Sequence, residues 1–217
     1  MKTKGYLICF IGMDGSGKTT LAKLVVDELK KNKIKCNYVY GRYKPILSKP
    51  ILELGRALFL RGKDVRMYSD YSKTKKEVAR KHKILALIYR NILFLDYYIQ
   101  LFIKIIIPKK FGRVIVCDRY VYDTVINDIP MQGDGFNEVK RLIETCFRVA
   151  PKPDLVFLID VPEEIAFQRK SDTPSIEYLR ERRRMYLDIG EEYGIVILDG
   201  SKKLDELRRE IGGMIFQ

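Results

Sequence analysis

Residues 12–19 read Gly12-Met13-Asp14-Gly15-Ser16-Gly17-Lys18-Thr19, and no other stretch restricts the possible folds as strongly. The spacing is G-x-x-x-x-G-K-[ST]. An apolar run from Tyr6 to Ile11 precedes it and reads as a buried strand. Leu21, Leu24, Val25 and Leu29 follow it on one face of a helix. A strand that passes through three glycines into a helix can curl tightly and turn several backbone N–H groups toward one point. The helix starting near Lys18 aims the positive end of its dipole at the same point. Such a loop cradles a polyphosphate. Its candidate contacts to that polyphosphate are Gly12, Asp14, Gly15, Ser16, Gly17, Lys18, Thr19 and Thr20. Lys18 supplies a mobile charge for the outer phosphates, and Thr19 a hydroxyl for a bridging Mg²⁺.

The rest of the composition narrows the class. A chain of 217 residues suits one domain, 1–217, with ample core. The four cysteines, Cys9, Cys36, Cys117 and Cys146, show no C-x-x-C spacing. They read as small buried thiols, not as a disulfide frame or a zinc site. His82, the lone histidine, stands between Lys81 and Lys83, which argues against histidine-based catalysis or metal binding. Met1 to Gly5 runs straight into the first strand, so no signal peptide is expected and a cytoplasmic location is. The formal net charge of +13 suits anionic ligands, but the lysines are spread along the chain and read mostly as a solvated surface. Ile84 to Ile107 is apolar enough to raise a transmembrane question. Arg90, Asp96, Gln100 and Lys104 interrupt it. Charges in mid-span are costly in lipid, so the segment reads as a long helix, buried in the protein or in a dimer contact, with no membrane involved.

Taken in order, Cys36 to Tyr40 is expected as the second strand, and a helix over Ile46 to Leu60 follows a loop at 41–45. Arg61 to Ser72 is a polar connection. A long helix covers most of Lys75 to Ile107 and stops at Pro108. Val114 to Cys117, Leu155 to Ile159 and Ile195 to Leu198 are the remaining strands. Helices are expected at Glu138–Val149, Pro162–Lys170, Ser175–Tyr193 and from about Lys202, with a loop over Asn127–Asn137. Strands alternating with helices imply an α/β fold with a parallel five-stranded sheet covered on both faces. Ligands in such folds sit at the carboxyl ends of the strands, which lines up the phosphate loop, Arg42, Asp118-Arg119 and Asp160 on one rim.

Beyond the loop, Asp118-Arg119-Tyr120, the Asp160-Val161-Pro162 turn and Glu191-Glu192-Tyr193-Gly194 before a final strand resemble thymidylate kinase, a family within the P-loop NTPase fold. The resemblance covers nearly the whole chain. It implies transfer of the ATP γ-phosphoryl group to dTMP or a related nucleoside monophosphate, with Mg²⁺, in a homodimer. It makes Lys18, Asp118 and Arg119 catalytic, with Thr19 and Asp118 toward Mg²⁺. Asp14 would reach the acceptor's sugar, and Arg119 would bridge the two phosphates. Arg169 would pack on adenine beside Gly200 and Ser201. A short lid is implied near 169–176.

The departures fall on the acceptor side. The family's Arg-Glu-Pro-Gly after the second strand is here Arg42-Tyr43-Lys44-Pro45, so only Arg42 carries over. Asp96-Tyr97 falls where the family has Asp-Arg, so Tyr97 replaces the arginine that binds the acceptor phosphate. Arg90, two helical turns earlier, is a candidate replacement. Asp123-Thr124 and Asn127-Asp128 replace the family's serine and tyrosine-glutamine pair. Closing charge is left to Lys170 and the Arg180, Arg182, Arg183, Arg184 cluster, most of which reads as a solvated helix face. Two other functions stay open at this point. One is a kinase for a nucleoside or a phosphorylated metabolite. The other is an ATP-dependent module binding nucleic acid or a partner, though no nucleic-acid signature is present.

Overall fold

The computed structural model describes residues 5–46, 48–50, 53, 83–128, 135–170 and 175–216. Five strands, β1 (Tyr6–Ile11), β2 (Cys36–Tyr40), β3 (Val114–Asp118), β4 (Leu155–Asp160) and β5 (Val196–Asp199), form one sheet in the order β2-β3-β1-β4-β5. Every pairing is parallel. The inner strands β1, β3 and β4 are short apolar runs between polar turns, which suits strands covered on both faces, while the edge strands β2 and β5 leave Tyr38 and Ile197 exposed. The register aligns their carboxyl ends: Tyr40 and Phe10 both lie opposite Asp118, and Asp160 lies opposite Asp199.

Side chains alternate between the two faces of the strands, and the core is correspondingly double. On one face Ile8, Phe10, Val116, Phe157 and Ile159 meet Leu21, Val25 and Leu29 of α1 (Lys18–Lys31). The same face receives Leu207 and Ile211 of the last helix, α8 (Leu204–Ile215). On the other, Leu7, Cys9, Ile11, Ile115 and Cys117 are covered by four helices. These are α2 (Lys83–Leu101), α4 (Val121–Asn127), α5 (Gly135–Phe147) and α7 (Ile176–Glu192). The short α6 (Glu163–Arg169) follows β4. Of the four cysteines, Cys36 is half-buried and the other three are buried; all are unpaired thiols.

Three expectations are corrected. The long helix does not stop at Pro108. A π-helical turn at Phe102–Ile106 leads into α3 (Ile107–Lys110), with Pro108 in its first turn. The Ile107 N–H bonds the Phe102 carbonyl five residues back, and in this wider register the helical backbone runs on into Pro108. Second, α4 fills Val121–Asn127, where no helix was expected; Asp123 accepts from the Tyr120 N–H in a capping box. Third, α5 starts at Gly135, inside the expected loop. The expected helix and connection over 46–72 fall mostly outside the described residues, as do His82 and lid positions 171–174.

Asn91–Lys110 is long and apolar enough to cross a bilayer by length and composition. Its inner face, Leu93, Tyr97, Leu101 and Ile105, is buried in the core. Asp96 and Gln100 are buried beside them. Ile84, Leu87, Ile88, Leu95 and Phe102 are exposed on the opposite face.

Candidate active site

The glycine loop does what its spacing requires. Gly12, Gly15 and Gly17 all have positive φ, at 136°, 83° and 97°. At Gly15 a β-carbon would also stand 2.4 Å from the Ala166 carbonyl oxygen, so α6 packs against the bare backbone of the loop. Gly17 is the N-cap of α1; no side chain caps this end, and its first turn holds no acid. Backbone donors at such a terminus are suited to an anion. Lys18 is buried, and its ammonium donates to the Met13 carbonyl and to Ser16 Oγ at 3.2 Å. Burial and then the nearby Arg119 lower its pKa to about 8, against the pull of Asp123, Asp14 and Asp118. Thr19 and Thr20 follow on the exposed edge.

The end of β3 meets this loop because β3 pairs with β1. Asp118 Oδ2 accepts from Thr19 Oγ1 at 2.6 Å and from the Tyr38 hydroxyl at 2.8 Å. Asp118 Oδ1 is buried with no hydrogen-bond partner among the described residues. An unsatisfied carboxylate oxygen beside a threonine hydroxyl fits a Mg²⁺ or a water bound to it. Among the described residues no group of three or more His, Cys, Asp or Glu could hold a metal, so that ion would depend on phosphate oxygens and water.

Arg119 sits in the left-handed region at φ 69°. Its guanidinium pairs with Asp14 and, at 3.4 Å, with Asp123. Burial pushes the Asp14 carboxyl up, but the Arg119 charge and hydrogen bond pull it down to about 2. Asp123 is fully buried and also accepts from the Tyr186 hydroxyl at 2.7 Å. Burial raises its pKa, with Arg119 pulling back. Lys170 stands 3.6 Å from Asp14. Arg169 Nη1 donates to the Gly200 carbonyl at 3.3 Å. A β-carbon on Gly200 would lie 3.1 Å from the Ser16 carbonyl, so residues 169, 200 and the loop converge on one side. Ser201 hydrogen-bonds Asp199 at the exposed edge.

A model of the thymidylate kinase family matches residues 10–211. The chain belongs to the thymidylate kinase family. It is 31% identical to a probable thymidylate kinase of Methanocaldococcus jannaschii and 29% identical to one of Archaeoglobus fulgidus. Each alignment covers 96% of this chain and 94% of the relative. It is 27% identical to the thymidylate kinase of Ligilactobacillus salivarius, over 94% of both chains. Membership makes the chain a phosphotransferase acting on nucleotides, with ATP as donor, on a P-loop NTPase fold.

On the acceptor side, this family member differs from the family pattern in ways the geometry makes concrete. Tyr97 is buried, and its hydroxyl donates to the Gly41 carbonyl at 2.8 Å. The neighbouring Asp96 accepts from the N–H groups of Ile46 and Ser48 at 3.1 and 3.0 Å, from Ser48 Oγ at 2.7 Å and from Gln100. Gln100 in turn donates to the Lys44 carbonyl. This face of α2 therefore clamps the segment after β2. Arg42, at that segment's start, forks onto Asp128, with Nε–Oδ2 at 2.8 Å and Nη2–Oδ1 at 2.7 Å. Arg90 lies within α2, but its side chain is outside the described residues.

The arginine cluster of α7 is less solvated than expected. Arg183 forks onto Asp160 at 2.8 and 2.9 Å and also reaches Glu163. Arg180 pairs with Glu163, and Arg182 donates to the Ile126 carbonyl. Arg184 is exposed. Tyr38 was not singled out from sequence. Its place beside Asp118 follows from the β2–β3 register, two residues short of Asp118, which no spacing in the sequence announces.

Proposed function

We propose that the chain is a dTMP kinase: it transfers the γ-phosphoryl group of ATP to dTMP as a single catalytic domain. The observation that carries this is the meeting of Lys18, Thr19, Asp118 and Arg119 at the carboxyl ends of β1 and β3. The phosphate loop and Lys18 hold the donor's phosphates, with Ser16 and Thr20 alongside. Arg169, Gly200 and Ser201 flank its base. Thr19 and Asp118 would hold a Mg²⁺, which would neutralise phosphate charge there. Arg119 leaves its carboxylate partners to span donor and acceptor phosphates, where charge accumulates as the phosphoryl group moves. Arg42 and Asp14 bind the acceptor, and Tyr97 borders its site. The protein works in the cytoplasm as a homodimer joined through the exposed face of α2.

A coupled assay with ATP, Mg²⁺ and a panel of nucleoside monophosphates, nucleosides and sugar phosphates tests the reading. Turnover highest with dTMP is expected. Turnover confined to an acceptor without a phosphate would overturn it.

A further inference from the structure

We propose that Asp128 is a placeholder for the acceptor's phosphate: its carboxylate holds Arg42 in the fork that a monophosphate takes over when it binds. The proposal rests on the reading of Arg42 as an acceptor ligand.

Four observations converge on it. The Arg42–Asp128 contact is a two-point fork, the arrangement a guanidinium makes with a phosphate as readily as with a carboxylate. Arg42 is held beside the reacting centre, because the Gly41 N–H bonds the Asp118 carbonyl at 2.9 Å and the Tyr43 N–H bonds Thr124 Oγ1 at 3.1 Å. Both side chains keep an open flank, 26% exposed for Arg42 and 20% for Asp128, by which an anion can enter. Finally, Tyr97 brings no charge and its hydroxyl is spent on Gly41.

A phosphate dianion entering here meets a neutral pair, not a cation. It cannot share Arg42 with Asp128 without placing like charges side by side. Asp128 must therefore leave, and it can, since it caps the end of α4 and no second strut holds it among the described residues. The Arg183–Asp160 fork is different: Glu163 braces the same guanidinium, so that pair reads as a fixed joint. An acceptor that lacks a phosphate cannot displace Asp128. The exchange thus sets a threshold of charge for acceptors and weakens binding of those that pass it.

The test is steady-state kinetics with dTMP at saturating ATP for the parent, Asp128→Asn, Arg42→Ala and the double variant, each checked for folding by thermal melting. Asp128→Asn should lower the KM for dTMP by about tenfold with the KM for ATP unmoved. Asp128→Glu should stay within about threefold of the parent, because the charge remains. Arg42→Ala should raise the KM for dTMP, and in that background the Asp128 change should have no effect. If Asn at 128 fails to fold, Ser takes its place. An unchanged or raised KM in Asp128→Asn overturns the placeholder, and so does a fall that persists without Arg42. A KM unmoved by Arg42→Ala instead removes Arg42 from the acceptor site, which is a distinct failure.

Discussion

Thr19 Oγ1 donates to Asp118 Oδ2 at 2.6 Å, across 99 residues of chain. The bond ties the first turn of α1 to the end of β3 and holds both groups in position before any nucleotide arrives. Thr19→Ala should therefore weaken the hold on the divalent ion. The Mg²⁺ concentration for half-maximal turnover should rise on the order of tenfold, read from titrations at fixed ATP. No change in that titration would remove Thr19 from the metal's surroundings.

Lys18 should make nucleotide binding depend on pH. Its pKa of about 8 comes first from burial and then from Arg119. A bound polyphosphate favours the charged ammonium and raises that pKa. Above pH 8 the empty enzyme must then take up a proton to bind. ADP affinity should fall about fivefold between pH 8 and 9, with proton uptake visible as a buffer-dependent heat in calorimetry. Lys18→Ala should abolish that dependence and cut kcat by about a thousandfold or more.

Gly15 joins two elements by having no side chain. A β-carbon there would press on the Ala166 carbonyl at 2.4 Å from a backbone at φ 83°. Gly15→Ala should push α6 away from the loop. The expected result is a loss of about 2–4 kcal/mol in denaturant melts and a fall in kcat/KM for ATP of at least about tenfold.

Much of the fold was legible because the signals were local. β1 and β2 match their apolar runs residue for residue, and the glycine loop carries its conformation in its own spacing. The helix at Val121–Asn127 was not legible. It is buried on nearly every side, with Val121, Tyr122, Asp123, Thr124, Val125 and Ile126 all in the interior, so it shows no amphipathic period. The site divides in the same way. Lys18, Asp118 and Arg119 belong to motifs, whereas Tyr38, Asp123 and Asp128 act across elements brought together by the sheet, and no spacing along the chain announces such a pair.

Asp96 should be a centre of stability as well as of loop placement. Burial raises its pKa, but hydrogen bonds from Ser48, Ile46 and Gln100 bring it down to about 2. A lowered folded-state pKa means that this stabilisation is complete above the ordinary carboxyl value near 3.8 and is lost as pH falls toward 2. Asp96→Ala should cost on the order of 3 kcal/mol at pH 7, since several donors lose their acceptor. The gap between mutant and parent melts should close between pH 4 and 2.

The outer face of α2 should be a subunit contact. Leu95 is 62% exposed among other apolar side chains on that face. Leu95→Lys should weaken self-association on the order of a hundredfold, seen by sedimentation as a shift toward monomer. A parent protein that sediments only as monomer at micromolar concentration removes the dimer.

The left-handed backbone at Arg119 has a consequence for its neighbour across the sheet. It turns the Arg119 carbonyl toward β2, where a β-carbon on residue 41 would approach to 2.3 Å. Position 41 is therefore answerable to the backbone of position 119: a side chain placed at 41, by drift or by design, meets a steric veto from that carbonyl. Libraries aimed at altering acceptor choice in this enzyme have to vary Arg42 and Asp128 beside a glycine that stays fixed.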